Sequence, residues 1–382
     1  MSMTPTRPRL RELGLGVGLL PPGRWNAITD VPGVRVSHVT LIRGKGRLRP
    51  GQGPVRTGVT AIVPAPGNLF RNKLAAAVHI MNGYGKSVGL MQVTETGRLE
   101  TPILLTGTLN VWRAADALVD WVLAADPKVY SVNPVVMECS PHVFDDVAGR
   151  HVGRREVFAA LERARSGPVA EGNVGGGTGM TAFGFKSGIG TSSRKLPRRG
   201  GGWTVGALVQ ANAGAVQYLS VGGRPFGREL VRSGRARPTR TCLTAAEVRR
   251  GAADAVAPDA GSLICILATD APLSARQLAR LARRAGLGLG RAGLNSGHAS
   301  GDIVVAFSTA ERFRHEERRA TILRREVPDG ALGDLFAGAQ ESAEEAYLNA
   351  VLRAGPMEGA GGSRREALPV DLLKEYLKEH RL

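Results

Sequence analysis

The feature that most constrains this chain is a series of short runs, apolar at almost every position, set between longer helical patterns. The runs are Val55–Pro66, Ala75–Met81, Val132–Met137, Trp203–Asn212, Leu263–Ala268 and Ile303–Phe307. Each is too short for a helix. None alternates cleanly between apolar and polar residues, so each reads as a strand covered on both faces. Between them lie helical spacings. Val111, Ala115, Leu118, Val119 and Val122 recur along a helix running to about Ala125, with Thr108 or Asn110 as its cap. Ser274 is placed to cap a helix that aligns Leu278, Leu281 and Ala282, and a long amphipathic helix covers about Leu332 to Arg353. Doubly covered strands interleaved with helices predict a layered α/β fold. Residues 183–189 alternate, and Arg194–Gly202 form a basic turn before the run at 203–212, which together read as a β-hairpin. Residues 222–260 are arginine-rich with little apolar periodicity, as expected of a long exposed connector.

Charge raises one alternative. The chain has 51 Lys+Arg against 33 Asp+Glu, a net charge of +18, which invites a nucleic-acid-binding reading. The arginines, however, concentrate at 224–250 and 194–199, without the interleaved aromatics that stack bases. Solvated loops explain them better, and no nucleic-acid partner is expected. Cys139, Cys242 and Cys265 include no Cys-x-x-Cys pair, so neither a disulfide framework nor a structural zinc site is expected. No apolar stretch is long enough to span a bilayer, and Met1–Leu13 lacks the apolar core of a secretory signal. The expected compartment is a reducing cytoplasm.

The most informative junction is Asp259-Ala260-Gly261-Ser262-Leu263-Ile264-Cys265, where a hydrophilic connector runs into a buried strand. A cut between Gly261 and Ser262 would leave Ser262 as a new N-terminus. Its α-amine would have a pKa of about 7.7–8.0 in an ordinary setting. One residue would then hold both nucleophile and base. The seven histidines and the lack of a Gly-x-Ser-x-Gly elbow give a Ser-His-Asp hydrolase little support. A second small-polar cluster, Asn295 to Asp302, feeds the strand at 303–307, and Ser300 and Asp302 can share a face. The glycine-rich stretch 172–179 precedes a strand-like segment, not a helix, so a dinucleotide site is rejected. Gly85-Lys86-Ser87 lacks the upstream glycine of a P-loop.

Seven stretches occur in a fixed order: Asp30–Val36, Arg56–Thr60, Glu171–Met180, Gly206–Asn212, Gly261-Ser262, Ala268–Leu273 and Ser300–Asp302. Over about residues 8–372 the chain resembles peptidase family S58, the self-processing L-aminopeptidase/D-esterase and β-aminopeptidase group. The resemblance implies one four-layer αββα domain, like that of N-terminal-nucleophile hydrolases but with its own connectivity. It implies self-cleavage into an α chain, 1–261, and a β chain, 262–382, and assembly of several αβ pairs. It also implies residue roles: Ser262 as nucleophile, Asn212 as oxyanion donor, Ser300 and Asp302 hydrogen-bonding around the nucleophile and its new amine, and Glu138 pairing with the substrate amine. No metal or organic cofactor is implied.

Just after Glu138 the sequence departs from the family pattern, with Ser140 in place of an aromatic and Phe144-Asp145-Asp146 in place of Leu-Asn-Asp. These positions are expected to line the substrate pocket. An amidase or acyltransferase of the same fold, acting on a non-peptide amide, is the nearest alternative reaction. Such relatives generally use threonine as the nucleophile, so Ser262 favours the peptidase.

Overall fold

The structure is a computed structural model that describes residues 7–239 and 261–380. Its strands are β1 (Arg35–Arg43), β2 (Val55–Val63), β3 (Asn72–Gly83), β4 (Ser87–Val88), β5 (Arg98–Leu99), β6 (Ile103–Gly107), β7 (Val135–Cys139), β8 (Thr181–Ala182), β9 (Phe185–Lys186), β10 (Ile189–Lys195), β11 (Thr204–Asn212), β12 (Gly261–Thr269), β13 (Ser300–Arg314), β14 (Met357–Glu358) and β15 (Arg364–Arg365). One sheet runs β1-β2-β6-β7-β4, and a second runs β10-β11-β12-β13-β3-β5. Both are mixed: β6 and β7 are parallel in the first, β12 and β13 in the second, and the other pairings are antiparallel.

The uniformly apolar runs are explained by what covers each face. Along β12, Ile264, Ile266 and Ala268 join the core between the two sheets, with Ile62, Leu105, Val135 and Phe307. The alternate residues Leu263, Cys265 and Leu267 face the opposite way, into a core shared with helices Ala275–Ala292 and Gly333–Leu352. Helices Val111–Ala125 and Arg154–Glu162 cover the outer face of the first sheet through Val59, Leu104 and Val136. The layers therefore run helix, sheet, sheet, helix, as expected. Each buried Leu or Ile contributes about 1.5–3 kcal/mol.

The glycine-rich stretch passes between the sheets. A Cβ on Gly176 would lie 2.1 Å from Gln210 Oε1 and 2.6 Å from the Leu105 carbonyl oxygen, so only glycine fits this passage.

Several local expectations change. Ser274 does cap its helix, accepting from the Gln277 amide. Neither Thr108 nor Asn110 caps Val111–Ala125, which grows out of a 3-10 turn at Thr108–Asn110. Asn110 Oδ1 instead accepts from the Val152 amide, 3.1 Å away, tying two loops together. The expected exposed connector at 222–260 is partly helical: Phe226–Arg232 buries Phe226 and Leu230 in the core. Its remainder from 240 to 260, with Cys242, lies outside the described residues.

The hairpin is formed by β10 and β11, shifted from the predicted strands, and Arg194 is no turn residue. It is wholly buried, 2.9 Å from Glu341 and 2.7 Å from Glu345. Those glutamates are why Gly333–Leu352 is buried almost all round and not simply amphipathic. Glu341 also accepts the amides of Leu19 and Leu20, and Glu345 pairs with Arg11. The N-terminal segment is thus fastened to the helix by charge-assisted bonds.

Arg194→Ala leaves two carboxylates buried without their shared cation. The expected loss is about 3–5 kcal/mol of unfolding free energy, read from the denaturant midpoint. A loss below about 1 kcal/mol would contradict the account.

Candidate active site

Ser262 is the second residue of β12, and its neighbours are set by strand register. It sits opposite Asn212 of β11 on one side and Gly301 of β13 on the other. Alternation places its side chain on the face of Ile264 and Ile266, towards the other sheet. Gly301 contributes no side chain there, and a Cβ on it would lie 2.5 Å from the Gly85 Cα. That gap is part of a cavity of about 240 Å³ lined by Tyr84, Lys86, Glu138, Ser140, Asn212 and Ser262, among others. Ser262 is 4% exposed, and its hydroxyl has no hydrogen-bond partner among the described residues. A buried hydroxyl without a partner is costly unless something else is meant to meet it.

Asn212 ends β11 with its amide orientation chosen by its partners. Oδ1 accepts from the Thr181 amide at 2.9 Å, and Nδ2 donates to the Ser140 carbonyl at a longer 3.2 Å. The donor end therefore faces the cavity. Behind the strand, the Cys139 thiol lies 3.5 Å from the Ser262 carbonyl and 3.6 Å from that of Gln210. Burial pushes the pKa of that thiol well up, so the cysteine is an inert spacer between the sheets.

Ser300 and Asp302 lie on the opposite face of their strand from the Ser262 side chain, with Val304 and Ala306. They meet as expected: the Ser300 hydroxyl donates to Asp302 Oδ1 at 2.8 Å. The carboxylate also takes a hydrogen bond from the Leu263 amide, which places it under the first residues of β12. Burial raises the Asp302 pKa, against its hydrogen bonds from Ser296, Ser300 and the Leu263 amide.

Glu138, in β7, is 2% exposed. Its Oε1 accepts from the Lys86 amide at 3.0 Å and lies 3.5 Å from Lys86 Nζ, whereas Oε2 has no partner among the described residues. A buried carboxylate oxygen without a donor, in the wall of a cavity beside a serine hydroxyl, is suited to bind a cation.

Of the five residues singled out from the sequence, Ser262, Asn212 and Glu138 line one cavity, whereas Ser300 and Asp302 lie on the other face of the sheet, beside the first residues of β12. The expected pocket positions fare differently. Ser140 lines the cavity, but Phe144, Asp145 and Asp146 do not. Asp145 is buried against the Arg56 amide at 2.7 Å, its carboxyl pushed up to about 6 by burial. Asp146 holds the Gly53 amide and the His151 ring. Both shape the loop beneath the pocket from outside it.

Comparison with known proteins decides the family. Residues 26–365 match the model of peptidase family S58. The chain belongs to that family. It is 42% identical over 375 residues, 98% of this chain and 93% of the relative, to the β-peptidyl aminopeptidase BapA of Sphingosinicella microcystinivorans. Among solved structures it resembles a Burkholderia sp. β-aminopeptidase, with 41% identity, a TM-score of 0.86, and 97% and 99% of the two chains covered. It also resembles the L-aminopeptidase D-Ala-esterase/amidase of Ochrobactrum anthropi, with 35% identity, a TM-score of 0.85, and 98% and 99% covered. The latter is a prototype serine aminopeptidase and a new variant among the N-terminal-nucleophile hydrolase folds. This member of family S58 is accordingly a hydrolase of the aminopeptidase type with that fold. No helix among its described residues is long and apolar enough to cross a membrane.

Sequence reasoning passed over Ser296. Its hydroxyl donates to Asp302 Oδ2 at 2.6 Å, and it holds a positive φ of 46°, a conformation that costs a non-glycine residue energy. The Asn-Ser-Gly run at 295–297 signalled a turn but not its target. Ser296→Ala removes a donor to an ionised group, worth about 1.5–3 kcal/mol. The Asp302 titration midpoint is therefore expected to rise by about one to two pH units, as read from its carboxyl carbon by NMR. An unmoved midpoint would contradict this geometry.

Proposed function

We propose that the chain activates itself by cleavage at Gly261-Ser262 and then removes N-terminal residues from short peptides, or from amides and esters that carry a free amine. The observation that carries this reading is the unpartnered, buried Ser262 hydroxyl in the same cavity as the Asn212 amide and the unpartnered Glu138 Oε2.

In the intact chain the Ser262 hydroxyl attacks the Gly261 carbonyl carbon. The C–N bond breaks, the acyl group passes from nitrogen to oxygen, and the nitrogen leaves as a free amine. Water then hydrolyses the ester, giving a 261-residue chain that ends in the Gly261 carboxylate and a chain that begins at Ser262. The new amine, near neutrality in pKa, accepts the hydroxyl proton when substrate is attacked and returns it to the leaving amine. Asp302 and Ser300, under the first residues of β12, supply the acceptors that orient this amine.

As the substrate carbonyl turns tetrahedral, Asn212 Nδ2 exchanges its 3.2 Å bond to Ser140 for one to the oxyanion. Such a donor is worth about 100- to 1000-fold in rate. Glu138 Oε2 takes the substrate ammonium, which sets a fixed distance from amine to scissile bond and rejects blocked N-termini. Two relatives at 42% and 41% identity are β-peptidyl aminopeptidases, which supports substrates with a β-amino N-terminal residue. Assembly of several αβ pairs and a cytoplasmic location complete the proposal. The described cysteines, Cys139 and Cys265, are free thiols, in keeping with that compartment.

The test pairs two variants on N-terminal β- and α-aminoacyl anilides. Ser262→Ala is expected to lower turnover to background. Glu138→Gln is expected to raise KM by about tenfold or more with a much smaller change in kcat, and wild type should not cleave the N-acetylated anilide. An unchanged KM in Glu138→Gln, or cleavage of the acetylated substrate, would overturn the role given to Glu138. Residual turnover in Ser262→Ala would overturn the nucleophile.

A further inference from the structure

Lys186 is a wholly buried lysine outside the set of residues assigned above. Its Nζ donates to the Met180 carbonyl at 2.9 Å, to that of Gly177 at 3.5 Å, and to that of Ser187. No carboxylate pairs with it among the described residues. Burial alone drives its pKa well below that of an ordinary lysine. An amine buried without a counter-charge costs several kcal/mol. A methionine of similar shape would fill the space without that cost, so the amine needs a use.

Its position in a tight hairpin suggests one. β8 and β9 pair antiparallel, with Lys186 opposite Thr181. The two residues between them, Phe183 and Gly184, have φ of 55° and 78°, as a type I′ turn requires. The turn folds the lysine back onto the peptide unit that joins Met180 and Thr181.

That unit is rigid and planar, so fixing its carbonyl end fixes the direction of its N–H. The N–H at the other end is the Thr181 amide, which donates to Asn212 Oδ1 at 2.9 Å. A lysine amine on the carbonyl also polarises the unit and strengthens its donor end. If the Asn212 amide were flipped, two donors would face each other at this point. The bond from Thr181 therefore selects the orientation that presents Nδ2 to the cavity.

We propose that Lys186 is a positioning residue for the oxyanion donor, acting through the Met180–Thr181 peptide unit to hold the Asn212 amide with Nδ2 towards the reacting carbonyl. The proposal rests on the assignment of Asn212 as that donor.

A double-mutant cycle tests it on the full chain, with kcat normalised to the processed fraction by intact mass. Lys186→Met is expected to keep the melting temperature at or above that of wild type. It should lower kcat by about tenfold and leave KM unchanged. Asn212→Ala should lower kcat by about 100- to 1000-fold. The double variant should be no slower than Asn212→Ala alone, because the lysine acts only through the asparagine.

Full kcat in Lys186→Met would overturn the proposal, as would a double variant in which the two losses multiply. Wild-type kcat in Asn212→Ala would instead overturn the oxyanion assignment beneath it. If Lys186→Met does not accumulate as folded protein, Lys186→Gln, which keeps a donor without charge, completes the same cycle with the same expected coupling.

Discussion

The pairing of β11, β12 and β13 in one register is the constraint on which the rest depends. It sets Asn212, Ser262 and Gly301 side by side at one end of the second sheet. A slip of one residue would turn Ser262 into the helix-facing core and bring Leu263 into the cavity. The register is held by burial on both faces: Ile264 and Ile266 towards the other sheet, Leu263 and Cys265 towards the helices. The same two-sided burial leaves the serine hydroxyl without a hydrogen-bond partner among the described residues.

Around that register the chain tolerates a series of costly polar burials. Some are fully matched, such as Arg194 between Glu341 and Glu345. Others are only partly matched, at places spread through the fold; of these, the Ser262 hydroxyl and Glu138 Oε2 lie at the cavity. Where the polar network closes on itself, it fastens the N-terminal segment to a helix. At the cavity it stays open, facing the space that the proposed substrate would fill.

Much of this was legible in the sequence. Doubly apolar runs marked the strands of a covered sheet, and Gly261-Ser262 at the head of one of them marked the proposed nucleophile. Resemblance to the family supplied Asn212, Ser300, Asp302 and Glu138; Asn212 and Glu138 share the cavity of Ser262, and Ser300 and Asp302 meet on the other face of the sheet. Other features were hidden because they depend on partners distant in the chain. Arg194 read as a turn residue because its charge implied solvent, and nothing local revealed two glutamates about 150 residues away in the same core. Phe226 and Leu230 were masked by surrounding arginines. Asp145 and Asp146 sat near Glu138 in sequence, but the chain turns them away, into the loop that holds Arg56 and Gly53. Ser296 and Lys186 carry no motif; their partners, Asp302 for the one and the Gly177, Met180 and Ser187 carbonyls for the other, are set only by the fold.

The central claim is that Ser262 becomes an N-terminus. Intact-mass measurement with N-terminal sequencing of the purified chain tests it directly. The account predicts that the 40.3 kDa chain is replaced by two fragments, the smaller beginning Ser-Leu-Ile-Cys. A chain that turns over substrate while remaining whole, or that is cut at any other bond, would contradict it.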